Sequence, residues 1–95
     1  MAPQTRFTPH RGQSIAYTAS GPADRAAIVL QHSWTSSKEA WGKYVDVFTA
    51  NGYRCLSIDS LGHGESDKPV AAALYQRSDR VGDVTAVLDA EGAQR

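Results

Sequence analysis

Asp59–Pro69, with the sequence DSLGHGESDKP, follows the apolar-containing run Tyr53–Ile58 and shows no apolar periodicity of its own. Gly62 and Gly64 permit backbone angles that residues with a Cβ disfavour, and the proline closes the segment. The pattern predicts a long, shaped loop that leaves the end of a strand. Loops in such a position often carry function, because a rigid sheet holds them in place.

A second strand is predicted upstream of this loop. Ala26–Gln31 is a short, continuous apolar run, which is typical of a parallel strand covered on both faces by helices. Between it and Tyr53–Ile58, four apolar residues recur at the spacing of one helix face: Trp41, Tyr44, Val45 and Phe48. Strand, helix and strand form a βαβ unit, so the two strands are expected to be parallel. His32–Ser37 and Asp59–Pro69 then lie at the carboxyl edge of the sheet, where open parallel sheets bind ligands.

The ends of this helix carry their own signals. Ser36-Ser37-Lys38-Glu39 fits a capping box, in which Ser36 caps the helix and the Glu39 side chain reaches back to it. Asn51-Gly52 predicts the end of the helix, because glycine suits the left-handed position that follows a helix.

A hairpin is predicted before the βαβ unit and a helix after it. Thr5–Thr8 and Ser14–Ala19 are read as two short strands around a turn-like tetrad at residues 10–13. The second helix is expected to start at about Gln76 and to end at Gly92. Its predicted buried face consists of Val81, Val84, Val87 and Leu88.

The overall composition is that of one small globular domain. The 95 residues are 41% apolar, and ten basic and ten acidic side chains cancel, which argues against a nucleic-acid-binding module. Met1–His10 has no secretory signal pattern, and no apolar run approaches the roughly 18 residues that a membrane span needs. The single cysteine, Cys55, fits a reducing compartment and is interpreted as a small buried hydrophobe. A cytoplasmic location without membrane association is therefore predicted.

Three kinds of site are disfavoured by the motifs. Gly62–Asp67 lacks the last glycine of a dinucleotide-binding loop, and the chain has no G-K-[S/T] phosphate loop. His32 and His63, with Asp59 and Glu65 nearby, match no metal-ligand spacing. The G-x-S-x-G turn of an activated serine does not occur. We therefore predict neither a metal nor a cofactor.

In their order and spacing, these motifs resemble the N-terminal third of an α/β-hydrolase-fold enzyme. The resemblance is carried by Ile28–Trp34 followed by Trp41, by Asn51–Arg54 and by Ile58–Pro69, and it covers roughly residues 7–95. It implies a mostly parallel sheet with helices on both faces, preceded by an antiparallel hairpin. Residues 1–95 are then one partial α/β-hydrolase domain, the incomplete N-terminal part of the sheet.

The resemblance also implies roles for individual residues. The turn at residues 32–34 would form one side of an oxyanion hole, with the backbone N–H of Trp34 as the donor. His32 and Ser33 would be structural residues of that turn, with Ser33 where the family usually has glycine. The loop after the last strand would support the wall of the pocket through Asp59, Gly62, His63, Gly64 and Ser66.

The family's nucleophile, acid and catalytic histidine follow the second helix in the order Ser, Asp/Glu, His. None of them is matched within these 95 residues, so no catalytic residue is assigned. The chain is expected to be an inactive N-terminal fragment of a serine-hydrolase-like enzyme that cleaves an ester, amide or related bond of a small molecule.

Two alternatives stay open. One is a non-catalytic binding or assembly module that associates through the exposed edge strand Ala26–Gln31. The other is a fold relative with different chemistry, namely a dehalogenase, epoxide hydrolase, haloperoxidase or acyltransferase.

Overall fold

The chain forms a four-stranded sheet with helices on both faces. The structure is a computed structural model, and it describes residues 4–32, 36–70, 72–75 and 77–92. The strands are β1 (Thr5–His10), β2 (Gln13–Ser20), β3 (Ala27–Gln31) and β4 (Arg54–Ile58). The helices are α1 (Gly42–Ala50) and α2 (Arg77–Glu91), with short 3₁₀ helices at Lys38–Trp41 and Ala72–Tyr75. The strand order across the sheet is β1-β2-β4-β3.

The predicted hairpin is confirmed. β1 pairs with β2 antiparallel, and its first strand continues to His10, opposite Gln13, two residues beyond the predicted end. Arg11 and Gly12 form the turn with φ values of 52° and 76°. Positive φ at both central residues belongs to the hairpin turn whose twist matches that of the flanking strands.

The predicted parallel pair is also confirmed. β3 and β4 run parallel, from Ala27 opposite Arg54 to Gln31 opposite Ile58. β2 lies antiparallel on the other side of β4, so β4 is central, and all five of its residues are buried. Because β3 and β4 end in register, the segments that follow them leave the sheet at the same edge.

One face of the sheet packs on α2. The main core cluster joins β2, β4, the loop after β4 and α2 through Ile15, Tyr17, Leu56, Ile58, Leu61 and Val87. Side chains alternate along a strand, so Cys55 and Ser57 point to the opposite face. The Ser57 hydroxyl donates there to the backbone oxygen of Lys38, at 2.9 Å. Cys55 is 1% exposed, as its interpretation as a buried hydrophobe requires.

The start of the helix after β3 differs from the prediction. The 3₁₀ helix at Lys38–Trp41 comes first, and its N-cap residue is Ser37, which makes no side-chain capping bond. The predicted capping box of Ser36 and Glu39 is therefore wrong. The Lys38 N–H donates instead to the Asp59 carboxylate, a tertiary acceptor that takes the place of a local cap. The predicted end is confirmed, because Gly52 has a φ of 86°.

The two helices bury fewer of their apolar residues than the sequence predicts. α1 has no buried residue, and Tyr44 is 56% exposed. On α2, Val81 is 63% exposed, so its placement on the buried face is wrong. The buried residues of α2 are Asp83 and Val87, which lie one turn apart and face the sheet. Within the described ranges, no helix is long and apolar enough to cross a membrane.

Candidate functional site

Two loops meet at the carboxyl edge of the sheet. His32 follows β3 directly, is 4% exposed, and accepts a hydrogen bond at Nε2 from the N–H of Ser60, at 3.0 Å. The His32 ring also packs on the ring of His63, with centroids 4.9 Å apart and planes tilted by 54°. The segment after β3 is thereby joined to the Asp59–Pro69 loop after β4.

Asp59 is the anchor of this junction. Its side chain is fully buried. Oδ1 accepts the N–H of Lys38 at 2.7 Å, and Oδ2 accepts the Lys38 ammonium at 2.7 Å and the N–H of Glu65 at 2.9 Å. Burial by itself would raise the pKa of the Asp59 carboxyl, but the Lys38 ammonium and the two backbone donors hold that pKa below its ordinary value.

Lys38 is the partner that makes the burial of Asp59 tolerable. The residue is 2% exposed, and its Nζ lies 2.8 Å from Glu65 Oε1 and 3.0 Å from Glu39 Oε2, in addition to its contact with Asp59. Burial opposes the charge on the ammonium, but hydrogen bonds with these three carboxylates outweigh it and raise the pKa of Lys38 above its ordinary value. The ion pair of Lys38 and Asp59 therefore persists across the neutral pH range.

The Asp59–Pro69 loop is fastened to β2. Ser66 Oγ donates to the backbone oxygen of Asp59 and accepts the N–H of Ala16, both at 2.7 Å. Asp67 donates its N–H to the Ser14 oxygen and accepts the Ser14 N–H at Oδ2, both at 2.9 Å. The loop lacks regular secondary structure, as predicted, yet its polar groups hold it in one conformation.

Both glycines of the loop occupy positions that a side chain would disturb. Gly64 has a φ of 53°, and a Cβ there would lie 2.3 Å from the Asp59 carboxylate. Gly62 has a φ of 85°, and a Cβ there would lie 2.9 Å from the ring of Tyr75. The glycines therefore let the loop close around the Asp59 side chain and pack under Tyr75.

A cavity of about 360 Å³ opens beside the end of β3. Its lining residues are Gln31, His32, Ser36, Ala40, Trp41 and Tyr44. Gln31 Nε2 and Trp41 Nε1 are buried and have no hydrogen-bond partner in the described part of the chain. The cavity is thus walled by the end of β3 and the helix that follows it, and the Asp59–Pro69 loop contributes no lining residue.

The sequence-based site residues divide into two groups. Ser33 and Trp34 lie outside the described residues, so the oxyanion donor stays a prediction. The structure brings His32 together with the loop residues, among them Asp59, His63 and Ser66, at one edge of the sheet. The role of the loop residues in supporting the pocket wall also stays a prediction. Over the described ranges, no group of three or more His, Cys, Asp or Glu side chains is arranged to bind a metal.

Lys38 was missed by the sequence interpretation. A lysine in a polar connection is normally exposed, and its burial here depends on carboxylates from a loop more than twenty residues downstream. The residues around Lys38 in the sequence give no sign that its side chain is buried. Chemically, the arrangement joins His32 and Lys38 to the loop after β4 at the carboxyl ends of adjacent parallel strands, beside an open cavity.

Comparisons with known proteins agree with this geometry. The model of the alpha/beta hydrolase fold family matches residues 26–95. Epoxide hydrolase B of Mycobacterium tuberculosis is 34% identical over 87 residues, which are 90% of this chain and 24% of that protein. A non-heme chloroperoxidase of Streptomyces lividans is 34% identical over 83 residues, 86% of this chain and 30% of that protein.

A solved structure shows the same fold. The crystal structure of epoxide hydrolase A from Mycobacterium thermoresistibile matches with a TM-score of 0.91 at 23% identity, over 99% of this chain and 30% of that one. The chain spans about a quarter to a third of the length of these relatives.

Proposed function

This chain belongs to the α/β hydrolase fold family, and we propose that it forms the N-terminal part of a hydrolase domain that cleaves an ester, amide or related bond of a small molecule. The observation that supports the proposal most is the junction of the two loops through Asp59 and His32, at the strand ends where parallel sheets bind ligands. The cavity beside β3 opens at the same edge.

Within this proposal, the backbone N–H of Trp34 is one donor of the oxyanion hole, and His32 and Ser33 shape its turn. Support comes from both ends of the connection, because His32 is bonded to Ser60 and Lys38 to Asp59. A donor held in place before the reaction stabilises the developing oxyanion by about 3–4 kcal/mol. The loop after β4 is proposed to support the wall of the site through Asp59, Gly62, His63, Gly64 and Ser66, without lining the cavity beside β3.

The nucleophile, the acid and the base are proposed to lie outside these 95 residues, in the part that the longer relatives have and this chain does not cover. The 95-residue chain by itself is then inactive. The proposal involves no cofactor and no nucleic acid, and it places the protein in the cytoplasm, on the support of its single, buried cysteine.

The oxyanion role is tested by removing one N–H. In the full-length protein, Trp34→Pro is expected to lower kcat for p-nitrophenyl butyrate about 10²–10³-fold with a small change in KM. Trp34→Phe keeps the N–H and is the matched control, with circular dichroism to show that both variants fold. Equal kcat in the two variants would contradict the assignment.

A second candidate is epoxide hydrolysis, which is favoured by the 34% identity to a protein named epoxide hydrolase B. The two reactions differ in the nucleophile, which is a serine for acyl transfer and an aspartate for epoxide hydrolysis. Parallel assays of the full-length protein with p-nitrophenyl butyrate and styrene oxide, together with the identity of the residue at the nucleophile turn, distinguish them.

A further inference from the structure

We propose that His10 and Asp83 form a proton-dependent ion pair, which holds the end of the β1–β2 hairpin against α2 more firmly as the pH falls from alkaline to mildly acidic values. His10 is the last residue of β1, and Asp83 is one of the two buried residues of α2. The inference concerns the attachment of the hairpin and does not depend on the reaction proposed above.

The fold brings the two side chains together in a position where a charge is poorly solvated. Asp83 is 2% exposed, and its Oδ1 has no hydrogen-bond partner in the part of the chain that the structure describes. Nε2 of His10 lies 3.8 Å from this oxygen, and the His10 side chain is 26% exposed. Gly82 leaves room for the ring, because a Cβ there would lie 2.7 Å from Nε2. A buried carboxylate is costly unless it is paired, so Asp83 is stabilised by a charge on His10.

The other charged groups around Asp83 come from the hairpin turn and from α2 itself. The turn contributes Arg11, and α2 contributes Asp79 and Arg80. Burial raises the pKa of the Asp83 carboxyl, with a smaller contribution from Asp79, and the positive charges of His10, Arg11 and Arg80 oppose this rise only in part. Among these residue types, histidine is the one that ordinarily changes its charge near neutral pH.

A second contact of the same turn is independent of pH in this range. Arg11 Nη1 lies 3.5 Å from Asp79 Oδ1, and Arg11 Nη2 donates to the backbone oxygen of Leu74, at 3.1 Å. Because the guanidinium stays charged, this contact keeps the turn near α2 whether or not His10 is protonated. The pair of His10 and Asp83 therefore adjusts the strength of an attachment that Arg11 maintains.

The direction of the pH effect follows from proton binding. In the folded protein the Asp83 carboxylate favours the protonated ring of His10, whereas the unfolded chain does not hold the two residues together. The folded protein therefore binds more protons than the unfolded chain where histidine titrates, and this contribution to stability falls as the pH rises. The raised pKa of Asp83 has the same sign, because its contribution is lost as the pH rises through the raised value.

The test is a double-mutant cycle in the full-length protein. His10→Gln, Asp83→Asn and the combined variant are unfolded in urea at about pH 6 and about pH 8.5, on either side of the range in which histidine titrates. The coupling, expressed as a ratio of unfolding equilibrium constants, is expected to be at least about threefold at the lower pH and close to one at the higher pH. The control cycle combines His10→Gln with Asp46→Asn, at an exposed carboxylate of α1, and should show no coupling at either pH.

The inference is overturned if the coupling of His10 and Asp83 is absent at the lower pH or equal at both. If Asp83→Asn does not fold, the ¹³C titration of the Asp83 carboxyl decides instead. Its pKa should be higher in His10→Gln than in the wild type and in Asp46→Asn, because the charge on the ring no longer favours the carboxylate. An unchanged pKa refutes the ion pair.

Discussion

Gly64 illustrates how closely single residues are fitted around Asp59. Its backbone passes the buried carboxylate at a distance that leaves no room for a methyl group, and its φ of 53° lies in the left-handed region. Two of the acceptor bonds of that carboxylate come from backbone N–H groups, of Lys38 and Glu65, which require the loop to stay close. The glycine is therefore a requirement of packing as well as of backbone angle.

Gly64→Ala is expected to destabilise the protein by at least about 1–3 kcal/mol, because strain at a positive φ adds to the clash with Asp59. Gly42→Ala is the matched control. A Cβ at Gly42 meets nothing within 4 Å, the residue has a helical φ of −48°, and alanine is favoured over glycine in a helix by up to about 1 kcal/mol. Urea unfolding of both variants measures the difference, and equal midpoints would show that the loop relaxes freely around Asp59.

At the scale of elements, α2 is attached to the sheet through its last residue. Glu91 accepts hydrogen bonds from Arg6 of β1, from Tyr17 of β2 at 2.5 Å and from Arg54 of β4 at 2.7 Å. Three adjacent strands thus share one carboxylate. Burial and the Glu91 hydrogen bond raise the pKa of Tyr17 to about 12, so the phenol stays a donor throughout the physiological range.

Glu91→Gln is expected to lower the free energy of unfolding at pH 7 by about 1.5–3 kcal/mol, the usual value of a hydrogen bond to a charged group. Burial alone would raise the pKa of Glu91, but bonds from Tyr17, Arg6 and Arg54 lower it below the ordinary 4.5. The carboxylate therefore stabilises the fold above pH 4.5 and loses this effect as pH falls through its lowered pKa.

The variant should accordingly lose less stability than the wild type between pH 5 and 3. Asp46→Asn, at an exposed carboxylate of α1, is the control and should follow the wild type. The attachment of α2 through Glu91 is contradicted if the Glu91→Gln protein has wild-type stability at pH 7 and loses as much stability as the wild type between pH 5 and 3.

At the scale of the whole molecule, the described sheet ends in an unpaired apolar strand. β3 pairs with β4 on one side only within the described ranges, and Ala27, Ile28 and Val29 are only partly buried. An apolar edge of this kind pairs readily with another chain. Association of the 95-residue chain through β3 stays a prediction.

Sedimentation over a range of concentrations tests this prediction. The wild-type chain should associate as its concentration rises, and Ile28→Lys should reduce the association, because a charge on the edge strand opposes pairing. Val70→Lys is the control, since Val70 is fully exposed outside the sheet. A wild-type chain that stays monomeric at the highest concentration would refute the association.

Much of the fold could be predicted because it depends on local patterns. The hairpin, the parallel pair and the irregular loop each follow from residues close together in sequence, such as the glycines at 62 and 64. The errors have tertiary causes. Val81 has helical spacing with Val84, which is partly buried, and Val87, which is buried, but the position of the sheet makes Asp83 face inward instead.

The same holds for the candidate site. The residue types and the edge of the sheet were predictable, because strand order places both loops there. The contact of Lys38 with Asp59 was not, because it joins residues 21 positions apart and replaces the local cap expected at Ser36. A pattern of neighbouring residues carries no information about such a partner.

The contacts of Glu91 also bear on the order in which the chain folds. Arg6 and Glu91 are separated by 85 residues, so their bond closes almost the entire described chain into one loop. Closing a loop of that length costs entropy before any contact compensates for it. The three donors become neighbours only after β1, β2 and β4 have paired. The bonds of Glu91 are therefore expected to form after the folding transition state, and their loss should accelerate unfolding while leaving the refolding rate almost unchanged.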